Sequence, residues 1–172
     1  MRRDDEGAFV RFATSRRHAL RSMAYLLCGD WSTAEDLTQT ALVRLYTAWG
    51  RLDSGHVEPY ARRVLVNAFI DETRRPWRRR ETLTRTPPDT AHLAVEPDAA
   101  PADDVLVALR GLPKQQRAVI VLRYWNELSL DEIAQALSVS RNTVKTHLAR
   151  ALATLRLAAA QDREELEGGA QR

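Results

Sequence analysis

The chain has 172 residues, of which 44% are hydrophobic, and its 26 Lys/Arg against 23 Asp/Glu give a net charge of +3. This length and apolar content allow one sizeable core or two small ones and exclude a disordered tail. The one cysteine, Cys28, excludes an intramolecular disulfide and a multi-cysteine zinc site. The N-terminus lacks the apolar core of a signal peptide, and no apolar run approaches the ~20 residues of a membrane span, so we expect a cytoplasmic protein without a membrane segment.

Apolar side chains recur at three- and four-residue spacing from Phe9 to Leu27, which predicts one amphipathic helix ending near Gly29. Ser32 and Glu35 have the spacing of a capping box, and the apolar stripe that follows predicts a second helix to about residue 50.

Pro59 is placed to open a third helix, and Pro76 is placed to end it. Helical patterning resumes at Asp103 or Asp104, and Pro113 is placed to open a longer helix. Because no strand-like alternation of useful length occurs, the sequence predicts an all-α fold.

The charge is distributed unevenly along the chain. Residues 1–80 carry 15 basic against 10 acidic side chains, residues 81–104 carry 1 against 6, and residues 105–160 carry 8 against 3. Two basic blocks separated by an acidic segment favour two polyanion-binding units, although basic blocks also occur on many inert proteins. We therefore predict two small helical domains whose relative orientation stays open: a first domain over 1–80, a flexible acidic linker over 81–102, a second domain over 103–160 and a frayed tail over 161–172.

Residues 128–150, LSLDEIAQALSVSRNTVKTHLAR, have the pattern of a helix-turn-helix. Ile133 and Val144 fall on the inward faces of two short helices, Ser129 and Glu132 form a capping box, and Ser140 can cap the second helix. The alternative is an ordinary amphipathic helix pair with a solvated polar face.

Three further strings extend this pattern over nearly the whole chain: GDWSTAEDLTQ at 29–39, PYARRVLVN at 59–67, and LPKQQRAVIVLRYW at 112–125. With the helix-turn-helix, they make the chain resemble the two-domain sigma factors of bacterial RNA polymerase, in the sigma-70 superfamily. The resemblance is to the extracytoplasmic-function (ECF) group and, within it, to the actinobacterial SigE-like branch. It implies a chain that binds core RNA polymerase and promoter DNA and directs initiation by recognising the minus-35 and minus-10 elements and assisting promoter melting.

The resemblance also implies roles for particular residues. The contact with core polymerase would involve Asp36, Gln39, Leu42 and Arg44, for which the alternative is a solvated helix face. Recognition and melting of the minus-10 element would involve Asp53, Ser54, His56, Tyr60, Arg62, Arg63, Asn67, Arg74 and Arg75. For Asn67 the alternative is a hydrogen bond to neighbouring backbone, and for Tyr60 it is an anchoring place in the core.

The second helix of the helix-turn-helix would read the minus-35 element. The side chains expected to divide between bases and phosphates are Arg141, Asn142, Thr143, Lys145, Thr146 and Arg150. Two positions depart from the family's pattern, since Ser138 and Asn142 stand where glycine is common, so we expect a changed turn geometry and base preference.

An enzyme is the competing class, and the sequence offers it little support. The four histidines lack metal-ligand spacing and no glycine-rich phosphate loop is present, so we expect no metal, no cofactor, no small-molecule substrate and no catalytic residue. A duplex-binding repressor would share the helix-turn-helix but would not need residues 30–80. An anti-sigma factor is a common partner in the family, although no residue here demonstrates one, and Cys28 is read as a near-core thiol with a redox sensor as the alternative.

Overall fold

The computed structural model describes residues 3–71 and 103–169, with side chains over 5–71 and 104–161, and the regular structure in these ranges is entirely helical. The predicted all-α fold class is therefore confirmed. The first module contains three helices, α1 (Arg3–Cys28), α2 (Trp31–Ala48) and α3 (Val57–Asp71). The second module contains four, α4 (Asp103–Arg110), α5 (Lys114–Ile120), α6 (Leu130–Leu137) and α7 (Arg141–Gly169).

The first module is a three-helix bundle in which α1 packs against both α2 and α3. Its centre is formed by Met23, Leu27, Leu45, Leu65 and Phe69, which are all almost completely buried. Each such side chain contributes roughly 1.5–3 kcal/mol through removal of apolar surface from water. The predicted spacing of apolar residues therefore corresponds to the buried faces of these helices.

Helix α1 ends at Gly29, as its sequence predicts. Gly29 has φ +75°, and its N–H donates a 2.7 Å hydrogen bond to the carbonyl of Tyr25. This left-handed residue closes the last turn at little steric cost because glycine has no Cβ. The guanidinium of Arg110 fills the space that a Cβ would occupy, so a side chain at position 29 would displace that guanidinium.

The starts of α2 and α3 differ from the prediction. The predicted capping box of Ser32 and Glu35 is wrong: Asp30 caps α2, its carboxylate accepting a 2.7 Å hydrogen bond from the Thr33 N–H. Ser32 therefore lies inside the first turn. Helix α3 begins at Val57, two residues before Pro59, which is tolerated because N–H groups of a first turn need no helical acceptor.

In the second module, the helix predicted after Pro113 changes its winding partway. Helix α5 passes into a π-helical segment over Val121–Trp125, in which the Asn126 N–H donates to the Val121 carbonyl at 3.2 Å. Helix α7 continues through Gly169, so the backbone remains helical into the tail that the sequence predicts to be frayed. The predicted linker over 81–102 lies outside the described residues.

The two modules are in contact, which settles the orientation that the sequence leaves open. Helices α4 and α5 lie against α1, and α6 lies against α3. Cationic side chains of the second module reach main-chain carbonyls of the first: Arg110 donates to Gly29, Arg117 donates to Leu27 at 2.6 Å, and Lys114 donates to Phe69 at 3.1 Å. The sequence analysis assigned no role to these three residues. Every residue carries a main-chain carbonyl, so the sequence does not show which carbonyl accepts a hydrogen bond from a distant side chain.

Candidate promoter and polymerase interfaces

Helices α6 and α7 form the predicted helix-turn-helix. Ile133 and Val144 are fully buried where the two helices pack. The capping box at the start of α6 is present: the Ser129 hydroxyl accepts from the Glu132 N–H at 3.2 Å, and the Glu132 carboxylate accepts from the Ser129 N–H at 2.8 Å. Hydrogen bonds from the hydroxyl and then the backbone of Ser129 lower the pKa of Glu132, so this cap is charged at neutral pH.

The turn between the two helices passes through Ser138, which has φ 55° and ψ 42°. This is the left-handed conformation that glycine adopts freely. A serine in this conformation carries a local backbone cost of about 1–2 kcal/mol. Its hydroxyl accepts a 3.1 Å hydrogen bond from Arg63 of the first module.

Helix α7 presents one polar face to solvent. Its exposed side chains include five of the six residues predicted to read the minus-35 element: Arg141, Asn142, Lys145, Thr146 and Arg150. The sixth, Thr143, is half-buried; its N–H donates to the Ser140 hydroxyl at 3.0 Å, and the Thr143 hydroxyl lies 2.8 Å from that of Ser140. Ser140 therefore caps α7 as predicted, and Thr143 supplies the N–H that this cap accepts.

Two of the exposed α7 side chains are held by neighbours. Arg141 lies 3.5 Å from the carboxylate of Asp131 on α6, and the Thr146 hydroxyl donates to the carbonyl of Asn142 at 3.0 Å. Both groups are exposed, so such contacts are weak and can be exchanged for phosphate or base contacts. Within the described ranges the side chains of Lys145 and Arg150 make no hydrogen bond or ion pair, and both residues are exposed to solvent, although the Arg150 carbonyl accepts a 3.1 Å hydrogen bond from the Thr154 hydroxyl.

Helix α3 carries part of the predicted minus-10 surface. Arg62 is bound to Glu58, which Arg16 of α1 also contacts at 3.1 Å. Arg63 is exposed apart from its bond to Ser138. Asn67 is half-buried, and its amide makes no hydrogen bond to residues of the described ranges. The alternative role of Asn67, a hydrogen bond to neighbouring backbone, is therefore not seen among the described residues.

The rest of the predicted minus-10 set is more dispersed. Asp53, Ser54 and His56 lie exposed on a short 3-10 turn (Ser54–His56) just before α3. Tyr60 is half-buried and packs against the core, which agrees with its alternative reading as an anchor. Arg74 and Arg75 lie outside the described residues.

Helix α2 presents the predicted polymerase-binding side chains on its outer face. Asp36, Gln39 and Arg44 are exposed, whereas Leu42 is half-buried and packs against the core. The structure adds Val43, with 64% of its surface exposed, and Tyr46, with 44%. Sequence reasoning missed both, although Val43 stands seven residues after Asp36 and hence above it on the same helical face.

Glu35 fixes this face of α2 relative to α1. Its carboxylate accepts a hydrogen bond from Arg17 and lies 3.3 Å from Arg21, and the Gln39 amide donates to it at 3.3 Å. Burial raises the pKa of Glu35, but the hydrogen bonds from Arg17 and Gln39 and the charges of both arginines outweigh it and bring the pKa below its ordinary value. Gln39 is thus partly engaged within the module.

The part of the chain that the structure describes contains no group of three His, Cys, Asp or Glu side chains able to hold a metal ion. His147 is half-buried on α7, and its Nδ1 has no hydrogen-bond partner among the described residues. Cys28 packs at the edge of the core and its thiol donates to the Asp30 carbonyl at 3.2 Å, as expected for a near-core residue. Among the described helices, none is both long enough and apolar enough to cross a membrane.

Comparison with protein families matches each module separately. Residues 12–79 match the model described as Sigma-70 region 2, and residues 102–155 match the one described as Sigma-70, region 4. The first match covers α1 from residue 12 onward together with α2 and α3, and the second covers the helix-turn-helix with α4 and α5, so both candidate DNA surfaces fall inside matched segments.

Curated relatives match over almost the full length. The RNA polymerase sigma-E factor of Streptomyces avermitilis is 40% identical over 92% of this chain and 85% of its own, and that of Streptomyces coelicolor is 38% identical over 86% and 84%. The ECF RNA polymerase sigma factor SigE of Mycolicibacterium smegmatis is 33% identical over 82% of this chain and 58% of its own length.

Solved structures share the fold at lower identity. The sigma factor RpoE of Bartonella quintana, solved in complex with the anti-sigma factor NepR, has a TM-score of 0.70 and 22% identity over 89% of this chain and 97% of that one. CnrH, solved in complex with the cytosolic domain of CnrY, has a TM-score of 0.64 and 22% identity over 91% and 90%. From the paired region 2 and region 4 modules and the near full-length relatives, the chain belongs to the sigma-70 family of RNA polymerase sigma factors, in the extracytoplasmic-function group.

Proposed function

We propose that this sigma factor divides promoter recognition between its two modules, with α7 reading the minus-35 element and α3 holding the opened minus-10 element. As a member of the family, the chain directs promoter-specific transcription initiation. This division is supported by the presence of two separate polar surfaces on one chain. One is the exposed face of α7, and the other is the face of α3 that carries Arg62, Arg63 and Asn67.

At the minus-35 element, α7 enters the major groove of duplex DNA. Arg141, Lys145 and Arg150 contact phosphates and supply most of the affinity, which makes binding dependent on salt. Asn142 lies beside them in the first turn, where its amide can pair with the edge of an adenine. Thr143 acts indirectly, by fixing the start of the helix through the Ser140 cap.

At the minus-10 element, the task is to stabilise a separated strand. Arg62 and Arg63 provide phosphate contacts, and the uncommitted amide of Asn67 provides two donors and an acceptor for an unpaired base. The exposed turn with Asp53, Ser54 and His56 lies just before α3, where it can contact the same strand. Binding the single strand more tightly than the duplex is what shifts the equilibrium toward melting.

The outer face of α2 binds the core enzyme. Asp36 and Gln39 form its polar part, and the exposed Val43 and Tyr46 give it an apolar centre, which is the composition expected of a protein interface. The ring of Tyr46 also packs edge-on against Phe9 of α1, with 5.0 Å between the ring centroids, so the exposed part of Tyr46 is held next to Val43 on this face.

An anti-sigma factor is a further proposed partner. The similar RpoE and CnrH structures were both solved in complexes of that kind, NepR being named an anti-sigma factor. We place the protein in the cytoplasm with the nucleoid, where polymerase and promoters meet.

The test is run-off transcription with purified core RNA polymerase and a library of promoter templates. We expect initiation above core enzyme alone, and we expect Asp36→Arg to reduce it at least tenfold by reversing a charge on the α2 face. Glu6→Arg reverses an exposed charge near the start of α1 and serves as the matched control. Absence of initiation on every template contradicts the assignment, whereas normal initiation by Asp36→Arg contradicts only the α2 contact.

A further inference from the structure

Lysine is scarce in this chain although cationic side chains are common. Of the 26 Lys/Arg residues, 24 are arginines, and the two lysines are Lys114 and Lys145. An arginine side chain is always charged, whereas a lysine side chain ends in an amine that acylating agents modify. Acylation can therefore remove positive charge from only two side chains of this protein.

The structure engages one of these two amines and leaves the other open. Lys114 is half-buried, and its Nζ donates to the Phe69 carbonyl at 3.1 Å and lies 4.6 Å from the centre of the Phe69 ring. Lys145 is exposed on α7, and its side chain makes no hydrogen bond or ion pair within the described ranges. An acylating agent can therefore reach the Lys145 amine directly, whereas the Lys114 amine must first leave the carbonyl and the ring.

Lys145 lies on the face of α7 that is proposed to read the minus-35 element. Arg141 and Asn142 precede it by four and three residues, so both are its neighbours on the helix surface. An acyl group on the Lys145 amine replaces a positive charge with a neutral amide. Because the side chain is exposed, this change removes a candidate phosphate contact and leaves the core of the module intact.

Arg141 favours one class of acyl donor for this amine. Its Nε lies 3.5 Å from the Asp131 carboxylate, and both side chains are exposed, so the pair is weak and a phosphate can take the place of the carboxylate. A guanidinium binds a phosphate through two parallel hydrogen bonds. Side chains four residues apart on a helix start about 5–6 Å from each other. An acyl phosphate bound to Arg141 therefore brings its carbonyl carbon close to the amine of Lys145.

We propose that Lys145 is a site of acylation by acyl phosphates, that Arg141 binds the phosphate of the donor, and that the modification weakens promoter binding by α7. The neutral amine attacks the carbonyl carbon, and a C–N bond forms as the C–O bond to the phosphate breaks. The phosphate leaves with the electron pair of that bond and takes up the proton that the amine loses. The effect on promoter binding rests on the function proposed above for α7, whereas the acylation itself does not.

The first test measures acetylation of the full chain by acetyl phosphate, with peptide mass spectrometry to separate the two lysines. In the folded protein we expect Lys145 to react at least about tenfold faster than Lys114, because a charged hydrogen bond holds the Lys114 amine. In concentrated urea this contact is lost, and the two lysines should react at similar rates. Equal rates in the folded protein would overturn the proposal.

A second comparison identifies the donor. Arg141→Ala should slow the reaction of Lys145 with acetyl phosphate at least about threefold, because the charged hydrogen bonds to the phosphate are lost. Arg156→Ala removes the same charge from an exposed position farther along α7 and is the matched control. Acetic anhydride carries no phosphate and should acetylate Lys145 equally fast in both variants. If acetyl phosphate also reacts equally fast with both variants, the proposed acyl phosphate site is wrong.

The effect on DNA is measured after the acetylated protein has been separated from the donor and assembled with untreated core RNA polymerase. At about 0.15 M salt, the affinity of this complex for a promoter template should fall roughly three- to tenfold, and the magnitude of the salt slope should fall by about 1. Lys145→Arg has no amine at this position, so its affinity should be the same before and after treatment, whatever its starting value. This variant keeps Lys114 and the amino terminus and therefore controls for acetylation of those amines.

Two results on promoter binding have different meanings. If acetylation of Lys145 leaves binding unchanged although Lys145→Ala weakens it, the proposed regulation is overturned and the proposed function of α7 stands. If neither change weakens binding, the proposed contact of Lys145 with DNA is contradicted and the regulation with it. The acetylation rates stand independently of both results, and unchanged far-UV circular dichroism shows that the acetylated protein remains folded.

Discussion

Arg117 of α5 donates a 2.6 Å hydrogen bond from Nη1 to the main-chain carbonyl of Leu27, one residue before the end of α1. Its Nη2 also donates to the carbonyls of Arg110 and Leu112 in its own module, at 2.9 and 3.1 Å. Burial lowers the pKa of this guanidinium, with the charge of Arg110 acting in the same direction and Cys28 opposing it. One side chain therefore serves acceptors in both modules.

Arg117→Met should be strongly destabilising because it keeps the apolar stem and removes every donor. Three carbonyls lose a charge-assisted partner, and we expect the free energy of unfolding to fall by about 2–4 kcal/mol. Urea denaturation followed by circular dichroism measures the change. Arg156→Ala, at an exposed position of α7, should change it by less than about 0.5 kcal/mol, and a loss that small for Arg117→Met would contradict the role assigned to it.

Ser129→Ala should weaken the helix-turn-helix by removing the hydroxyl of the capping box. Because the N–H of Glu132 then loses its acceptor, we expect a loss of about 1 kcal/mol in the free energy of unfolding. Ser15→Ala is the control, since the Ser15 hydroxyl donates only to the Phe12 carbonyl within α1. Equal effects of the two substitutions in thermal or urea unfolding would show that the cap contributes nothing specific.

Glu35→Gln should reduce stability at neutral pH and change its dependence on acid. The pKa of Glu35 is lowered in the folded state, so its contribution is fully present above the unfolded value of about 4.3 and is lost as pH falls through the folded value. We expect a deficit of about 0.5–1 kcal/mol at pH 7, modest because the pairs with Arg17 and Arg21 are partly solvated. Unfolding curves at pH 7 and pH 3 should show the difference from wild type shrinking on acidification; a constant difference would refute the assignment.

Lys145→Ala and Asn142→Ala should weaken promoter binding in different ways. Loss of Lys145 should lower affinity about equally for all minus-35 sequences and reduce the magnitude of the salt slope by about 1. Loss of Asn142 should cost about 1–3 kcal/mol on the preferred sequence and relax the preference at one base pair. Binding of the polymerase complex to variant templates at several salt concentrations separates the two patterns, and identical patterns would place both residues on phosphates.

Local patterns carried the prediction of the helices and of the helix-turn-helix. The apolar spacing in α1, the capping box of Ser129 and the cap at Ser140 depend on residues within a few positions of one another, and a sequence displays such relations directly. The capping box predicted at Ser32 was wrong because α2 begins at Trp31, which places Asp30 at the N-cap; aspartate and serine are about equally good caps, so residue types alone do not decide between the two positions.

Contacts between residues that lie far apart in the chain could not be predicted from the sequence. Arg110, Lys114 and Arg117 donate to carbonyls that lie between 45 and 90 residues away in the sequence, and every residue carries a carbonyl. The candidate sites were therefore predicted as lists of residues whose exposure differs between helices. On α7 five of the six predicted residues are exposed, whereas on α3 only Arg63 is exposed and Tyr60, Arg62 and Asn67 are half-buried. The partial burial of Thr143 and the contact of Arg63 with Ser138 follow from packing and capping geometry that the residue types alone do not specify.

Ser138 holds a left-handed backbone that glycine would adopt without strain, and its hydroxyl is what Arg63 meets across the modules. A glycine at this turn would relieve the backbone and delete the acceptor in one step. The residue at this turn therefore sets two properties at once, the backbone strain of the helix-turn-helix and the presence of a side-chain hydrogen bond from Arg63 of the first module.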